Sequence, residues 1–233
     1  MKRLDGQLAL VTGSSRGIGA RVAEGLADRG CDVIVHGRKI ENTLHMKKMI
    51  EAKGVKVYSV EGELSTLEGV NHIIQQVKEI GHIDILYNNA GLSNIYKPIF
   101  EYTMEDWQEI MQVNVFSLTL LCNAFAPAMK EKGYGRIVNV SSGIQDQPHL
   151  VAYSVSKAAV DKYTKDLSFE LKDVNVKVSY IDPGWIKTDL GGPNAENDLS
   201  SVLPGMLVPV LLDKESATGQ GFRAQDYRGK EIY

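Results

Sequence analysis

Tyr153 and Lys157 stand four residues apart in Tyr153-Ser154-Val155-Ser156-Lys157, a spacing that puts both side chains on one face of a helix. A phenol with an ordinary pKa of about 10 exchanges protons poorly near neutrality. A neighbouring ammonium stabilises the phenolate and brings that pKa toward the working range, as acid–base chemistry needs. Upstream, Arg136-Ile137-Val138-Asn139-Val140-Ser141-Ser142 reads as a strand ending in a serine pair. A hydroxyl at the C-terminal end of such a strand lies where α/β folds place ligands, and it can hydrogen-bond a substrate carbonyl oxygen. Either Ser141 or Ser142 could be that hydroxyl.

A second constellation is Thr12-Gly13-Ser14-Ser15-Arg16-Gly17-Ile18-Gly19. It closes an apolar strand and opens a helix. Glycines there allow a tight turn and close approach to a pyrophosphate, while the helix N-terminus offers free N–H groups. The spacing is GxxxGxG rather than GxGxxG. At the end of the next strand a carboxylate would bind the ribose 2′-hydroxyl of NAD. The residues there are His36-Gly37-Arg38-Lys39, with no acid at the tip. Arg38 and Arg16 could clamp a 2′-phosphate from two sides, since a guanidinium fork matches paired phosphate oxygens. NADP(H) is therefore favoured over NAD(H).

The elements that must position these groups alternate through the chain. Strands are expected at residues 8–12, 32–36, 56–60, 83–88, 136–140, 177–181 and, weakly, 219–222. Helices are expected at 18–29, 41–52, 67–80, 104–132 and 152–172, with a short one after Thr188. Capping boxes are read at Ser65 with Glu68 and at Thr103 with Asp106. Leu8-Ala9-Leu10-Val11 and the run from Ile83 to Tyr87 are continuously apolar, which calls for cover on both faces. The expected fold is α/β: a single-domain Rossmann fold over residues 1–233, a doubly wound parallel sheet of about seven strands with helices on both faces. Residues 189–212 carry Pro193, Pro204 and Pro209 among exposed-looking apolar residues and are expected to form a substrate loop or lid within that domain.

Composition closes off other classes. The chain has 233 residues, 26 Lys+Arg against 29 Asp+Glu, and 43% hydrophobic residues. It is long enough for a sizeable core, too apolar for disorder and too evenly charged for a nucleic-acid or polybasic membrane binder. Two distant cysteines, Cys31 and Cys122, suit a reducing cytosol rather than a disulfide framework. The five histidines form no metal-binding cluster, so no metal is expected. The apolar run near the N-terminus is too short for a signal peptide. No 18-residue apolar stretch marks a membrane span; Leu118 to Met129 comes nearest and is interrupted by Asn123 and Pro127. A cytoplasmic location is expected.

Taken in order, these motifs resemble those of the short-chain dehydrogenases/reductases of the group often called classical, over nearly the whole chain. The glycine motif matches Thr12 to Gly19, and the NNAG motif is Asn88-Asn89-Ala90-Gly91. A helix-borne asparagine matches Asn114, the YxxxK pair matches Tyr153 and Lys157, and the motif after the sixth strand is Pro183-Gly184-Trp185-Ile186-Lys187-Thr188. The resemblance implies Tyr153 as general acid in carbonyl reduction. It implies Lys157 holding the nicotinamide ribose and depressing the Tyr153 pKa, Ser142 positioning the carbonyl, and Asn114 completing a water-linked relay to Lys157. Asn114 could equally only pin neighbouring backbone.

For the cofactor, the resemblance implies contacts from Gly13, Ser15, Arg16, Gly17, Ile18, Gly19, Arg38, Asn89, Ala90 and Gly91, with Asn88 and Gly91 lining the adenosine side. It adds Pro183, Gly184, Ile186 and Thr188 around the nicotinamide. Glu63 stands where many members have an adenine-contacting Asp, followed by Leu64. Tyr153 lies only 11 positions after Ser142, a shorter spacing than the family pattern.

The C-terminal run, Gly219-Gln220-Gly221-Phe222-Arg223 and Gly229-Lys230-Glu231-Ile232-Tyr233, is similar to the carbonyl-reductase-like branch and lacks the Gly-Gly-rich last strand of 3-oxoacyl-carrier-protein reductases. The expected activity is NADPH-dependent reduction of a ketone or aldehyde. The alternatives are a carrier-protein reductase, for which Lys97, Lys187 and Arg223 would be docking candidates, and a non-catalytic NADP(H)-binding sensor. Helices 104–132 and 152–172 form the dimer face in many relatives, so a homodimer or homotetramer is expected, although carbonyl-reductase-like relatives can be monomers. Pocket shape is assigned to residues 93–96, 145–150 and 191–212, and His149 could touch substrate.

Overall fold

The computed structural model describes residues 2–93 and 96–232. Met1, Tyr233 and, from the expected pocket stretch, Asn94 and Ile95 lie outside the described residues. The elements run β1 (Leu8–Val11), α1 (Gly17–Ala27), β2 (Asp32–Gly37), α2 (Leu44–Glu51), β3 (Val57–Glu61), α3 (Leu67–Ile80), β4 (Ile85–Asn88) and α4 (Met104–Met111). They continue with α5 (Ser117–Lys132), β5 (Tyr134–Val140), α6 (Val151–Glu170), β6 (Asn175–Asp182) and β7 (Gln220–Arg223). All seven strands are parallel, in the order β3-β2-β1-β4-β5-β6-β7. The strand order reverses between β1 and β4, and in such sheets ligands bind at the carboxyl ends of the strands beside that switch point.

Residues of the central strands alternate between two faces, both covered, which is why β1 and β4 read as continuous apolar runs. Ala9, Val11, Val33, Val35, Ile85 and Tyr87 pack with Val22, Leu26, Met46 and Ile50 of α1 and α2. Leu10, Ile34, Leu86, Ile137 and Val178 pack with α3, α5 and α6 through Ile73, Val77, Leu121, Phe125 and Val160.

Three expectations need correction. The cap of α3 is Thr66, not Ser65: the helix begins one residue later than the box requires, and Thr66 Oγ1 accepts from Gly69 N at 3.0 Å. The box at Thr103 and Asp106 is present. The helix expected over 104–132 is interrupted by a π turn at Gln112–Phe116, with Asn114 at its centre. That span is long and apolar enough to cross a membrane by length and composition, at mean hydropathy 1.4. Its apolar residues Leu118, Leu121, Cys122, Phe125 and Met129 are instead packed into the sheet core.

The third correction concerns residues 189–212. The apolar residues expected on the surface of a lid are interior. Turns of 3-10 helix at Leu199–Val202 and Gly205–Leu211 carry Val202, Met206, Leu207 and Val210 at 0–3% exposure into the core beside α1. Tyr87 Oη donates to Met206 O at 2.7 Å, and the buried Arg136 guanidinium donates to Leu212 O at 2.6 Å. The stretch fills the place of a helix on that face of the sheet, and its first half, before Leu199, buries only Ala195.

Candidate active site

The turn after β1 sits at the switch point. Gly13 and Gly17 have φ of +62° and +60°, a conformation that side chains disfavour. A Cβ on Gly19 would lie 2.5 Å from both Gly13 O and Asn89 Nδ2. Only glycine lets α1 start this close to the strand below it. Arg16, at the α1 N-cap, gives no side-chain cap, so the first N–H groups of the helix remain available to an anion. Ser15 is half-buried in the turn, and Ile18 packs its side chain on the core.

Two neighbours hold this turn. Asn89 N and Ala90 N both donate to Thr12 Oγ1 at 3.0 Å, and Asn89 Nδ2 donates to Thr12 O at 2.9 Å. On the other side His36, 2% exposed, accepts from Gly13 N at Nδ1 (2.9 Å) and donates to Gly62 O from Nε2 (3.0 Å). Burial holds the His36 pKa below its ordinary value. The neutral ring with its proton on Nε2 is therefore the form these partners select. Sequence reasoning missed this role; a histidine at a strand end gives no signal until its partners are seen.

Not all expected contacts are placed at the site. Asn88 is 3% exposed and donates to Asn139 Oδ1 at 2.9 Å. Asn139 in turn donates to Thr164 Oγ1 at 2.9 Å. Asn88 is thus a core pin rather than a lining of the adenosine side. The Leu64 side chain belongs to the core on the α3 face, so only its backbone could face an adenine. Glu63 is half-buried, with Oε1 accepting from Ser65 N at 3.4 Å. Arg38 is exposed at the end of β2 with no ion pair among the described residues.

Asn114 is 2% exposed. Its Oδ1 accepts from Leu92 N at 2.8 Å, while Nδ2 donates to Leu92 O at 2.8 Å and to Ser156 Oγ at 2.9 Å. Ser156 Oγ donates to Tyr153 O at 2.7 Å. One amide thus ties the chain after β4 to the first turn of α6. A Cβ on Gly91 would lie 3.5 Å from both Asn114 Oδ1 and Lys157 Nζ, so the NNAG segment, Asn114 and Lys157 meet at one point. π turns recur at functional sites because they shift backbone partners locally.

Lys157 is 5% exposed and Nζ donates to Val140 O at 2.8 Å. Nζ lies 5.7 Å from the Tyr153 ring centre. Burial brings the Lys157 pKa down to about 8, with Asp161 acting against the fall. The expected depression of the Tyr153 pKa is not realised by this pair alone. Burial raises it above 10, Asp182 adds to the rise, and the Ser142 hydroxyl works against both. Ser142 is thus the serine that faces the phenol; its Oγ also accepts from Ile144 N at 3.2 Å. Ser141 is 2% exposed, and its hydroxyl faces Asp161 instead.

The motif after β6 closes the site. Gly184 N donates to Asp182 Oδ1 at 2.8 Å, and Pro183 O accepts from Gln225 Nε2 at 2.9 Å. Ile186 is buried and bridged to Asn197. Thr188 Oγ1 accepts from Gly191 N at 3.1 Å, and its methyl lies 3.7 Å from where a Gly17 Cβ would be. Next to it Asp189 Oδ2 pairs with Arg16 Nε at 2.8 Å. The glycine turn and the segment after β6 therefore touch. On the far side, His149 packs edge-on against Tyr96 at 4.6 Å, and its carbonyl accepts from Tyr102 Oη at 2.8 Å. Two of the expected pocket stretches are joined by this contact.

Buried carboxylates do not converge on a metal site: no group of three or more ligating side chains occurs among the described residues.

The arrangement has close counterparts. The family model described as short chain dehydrogenase matches residues 7–199. The chain is 38% identical over 192 residues to the 3-oxoacyl-[acyl-carrier-protein] reductase FabG of Aquifex aeolicus, covering 81% of this chain and 77% of the relative. It is 34% identical to the gluconate 5-dehydrogenase of Gluconobacter oxydans, covering 80% and 74%. The crystal structure of a 3-oxoacyl (acyl-carrier-protein) reductase from Agrobacterium tumefaciens C58 with NADP bound superposes with a TM-score of 0.86 at 27% identity, covering 95% of this chain and 93% of that one. With the glycine turn, the clamped NNAG segment and the Tyr153/Lys157 pair on the elements that position them, this chain belongs to the short-chain dehydrogenase family of oxidoreductases.

Proposed function

We propose that the protein is an NADP(H)-dependent oxidoreductase that interconverts a ketone or aldehyde and its alcohol. The observation that carries this reading is the convergence of Ser142, Tyr153 and Lys157 beside an uncapped helix N-terminus at the sheet's switch point. The residues present fit a dinucleotide. The turn of Gly13 to Gly19 leaves backbone N–H groups free for a pyrophosphate, Lys157 has N–H donors left after Val140 O, and Ile186 and Thr188 form the wall beside them. Bound there, the cofactor would supply the hydride. Ser142 orients the carbonyl oxygen, Tyr153 gives it a proton in reduction, and Lys157 supplies the positive charge that offsets the phenolate left behind. Asn114 fixes the geometry by holding Leu92 and Ser156, and it retains an Oδ1 lone pair for a relay water.

Arg38 and Arg16 support the preference for the 2′-phosphate. The NADP-bound neighbour agrees with it. The wall at Ser142, Gln145, Asp182 and Arg223 is polar, which favours a short, hydroxylated carbonyl compound over a long acyl chain. The similarity to the Aquifex aeolicus reductase supports a second reading, reduction of a carrier-bound 3-oxoacyl thioester. Against it, the three cations available for an acidic carrier are each already matched by an acid: Lys97 with Asp106, Lys187 with Asp198 and Arg223 with Asp182. Two buried free thiols, with Cys122 pushed up to about 12 by burial, suit the reducing cytoplasm. Residues 189–198 are proposed as the closing loop, and the α5/α6 face, where Phe116 and Phe169 are exposed, as the dimer contact.

The test is oxidation of NADPH and, in parallel, NADH against hydroxyketones, simple aldehydes and a 3-oxoacyl thioester, with R38D alongside. A hydroxyketone turning over with NADPH, and a preference that falls at least tenfold in R38D, is the expected outcome. Turnover by Y153F equal to wild type would overturn the assignment of the acid.

A further inference from the structure

Lys157 is a buried cation without an ion pair among the described residues; its one hydrogen bond goes to a neutral carbonyl, Val140 O. An ammonium in that position needs a compensating charge close by or it loses its proton. One helical turn further along α6, on the same face, stands Asp161. Its Oδ1 is shielded from solvent and has no hydrogen-bond partner. The Ser141 hydroxyl, next in the chain to the carbonyl that holds Lys157, is likewise buried and without a partner. Both line a cavity of about 440 Å³ that also reaches Ser142, Tyr180, Asp182 and Arg223.

The other charges around that cavity have neighbours of their own. Asp182, from β6, accepts from Gly184 N and lies 3.6 Å from Arg223 of β7. Lys165, from α6 itself, sits 5.7 Å above the Tyr180 ring. The groups that stabilise the Asp161 carboxylate from around it are Ser141, Lys165 one turn on along α6, and Lys157 one turn back, and of the two lysines only Lys157 is buried. We propose that Asp161 is a positioning residue for catalysis: the carboxylate, facing Ser141 at the end of β5, is the counter-charge that keeps the buried Lys157 ammonium protonated beside Tyr153. The inference rests on the reading of Tyr153 and Lys157 as the reacting pair. The electrostatics agree in sign. Burial lowers Lys157 to about 8 with Asp161 opposing that fall, and Lys157 reciprocally pulls down the burial-raised pKa of Asp161.

The experiment compares D161N, which preserves shape, with D161E, which restores the charge. Two readouts are taken: the pH–rate profile, and the NMR titration of lysine side chains with Lys157 assigned by its loss in K157M. The expected result is a Lys157 titration about one pH unit lower in D161N than in wild type, with the alkaline limb of turnover displaced equally. Rates below the limb are retained, rates above it fall about tenfold, and D161E returns both toward wild type. An unmoved Lys157 titration in folded D161N would overturn the proposal, as would a uniform loss of rate at every pH. The titration needs no turnover. If no carbonyl substrate reacts, the functional reading fails while the Asp161 effect is still measured.

Discussion

Replacing Asn114 by alanine removes three short hydrogen bonds at once: Leu92 N to Oδ1, Nδ2 to Leu92 O and Nδ2 to Ser156 Oγ. Each is worth about 1 kcal/mol net, and a buried group left unpaired costs about 1–3 kcal/mol. Leu92 is only half-buried, so water recovers part of the loss on that side, whereas Ser156 is fully buried and keeps only Tyr153 O. The expected destabilisation is about 3–4 kcal/mol, a large share of the about 5–15 kcal/mol that holds a domain together. Urea unfolding reads it as a drop in midpoint at unchanged slope. Amide exchange at Leu92 should accelerate with it, because that N–H loses its acceptor. Turnover should fall more than cofactor affinity, since Gly91 and Lys157 meet at Asn114 while the glycine turn is held by Asn89 and His36. N114D, which keeps the acceptor and loses the donors, should lie between. A destabilisation below about 1 kcal/mol, with Leu92 exchange unchanged, would show that this amide does not hold the loop.

Gly19→Ala places a methyl 2.5 Å from backbone at Gly13; a loss of about 1–3 kcal/mol in stability and of at least about tenfold in NADPH affinity is expected from melting and fluorescence titration. Lys157→Met tests the cost of the buried ammonium. The gap between 10.5 and about 8 is worth about 3 kcal/mol. Below about pH 8 the folded and unfolded chains are both protonated and that cost is fully present; as pH rises toward 10.5 the unfolded chain holds the extra proton and wild type gains stability. K157M should therefore be the more stable protein at pH 7, inactive, with its advantage closing over that window in chemical denaturation. Leu207→Ala should cost about 2–5 kcal/mol by the same measurement, as for any core leucine, whereas a residue on a free lid would change stability by less than about 0.5 kcal/mol.

The parallel sheet, its strand count and the Tyr153/Lys157 face were legible because each follows from a local pattern: apolar runs, glycine spacing and an i, i+4 pair. What was not legible depends on which partner a side chain finds across the sheet. Leu203 to Val210 looks exposed as a string of apolar residues among prolines, and only the gap beside α1 shows where it goes. Asn88 and Asn89 are identical neighbours, yet Asn88, the last residue of β4, faces Asn139 in the core and Asn89, just past the strand, clamps Thr12. Ser141 and Ser142 divide in the same way between Asp161 and Tyr153. The π turn at Asn114 shifts the phase of the helix by a single residue, a small signal within the long apolar run over 104–132.

The ion pair between Arg16 and Asp189 shows how the two halves of the site can act together. Its side chains are 68% and 77% exposed, so despite the 2.8 Å contact it is worth at most about 1 kcal/mol. A pair this weak holds the start of the loop against the glycine turn without committing the guanidinium. A 2′-phosphate, which offers more charge and paired oxygens for the guanidinium fork, would compete for Arg16 at little cost and release Asp189. On the NADP(H) reading, R16A and D189A should then differ in kind. R16A loses the phosphate contact and weakens NADPH binding about tenfold. D189A frees Arg16 beforehand, so NADPH should bind as tightly as in wild type or slightly tighter. Titration of both variants with NADPH and NADH separates the cases, and a D189A that binds NADPH as poorly as R16A would mean that the pair, rather than the guanidinium alone, builds the site.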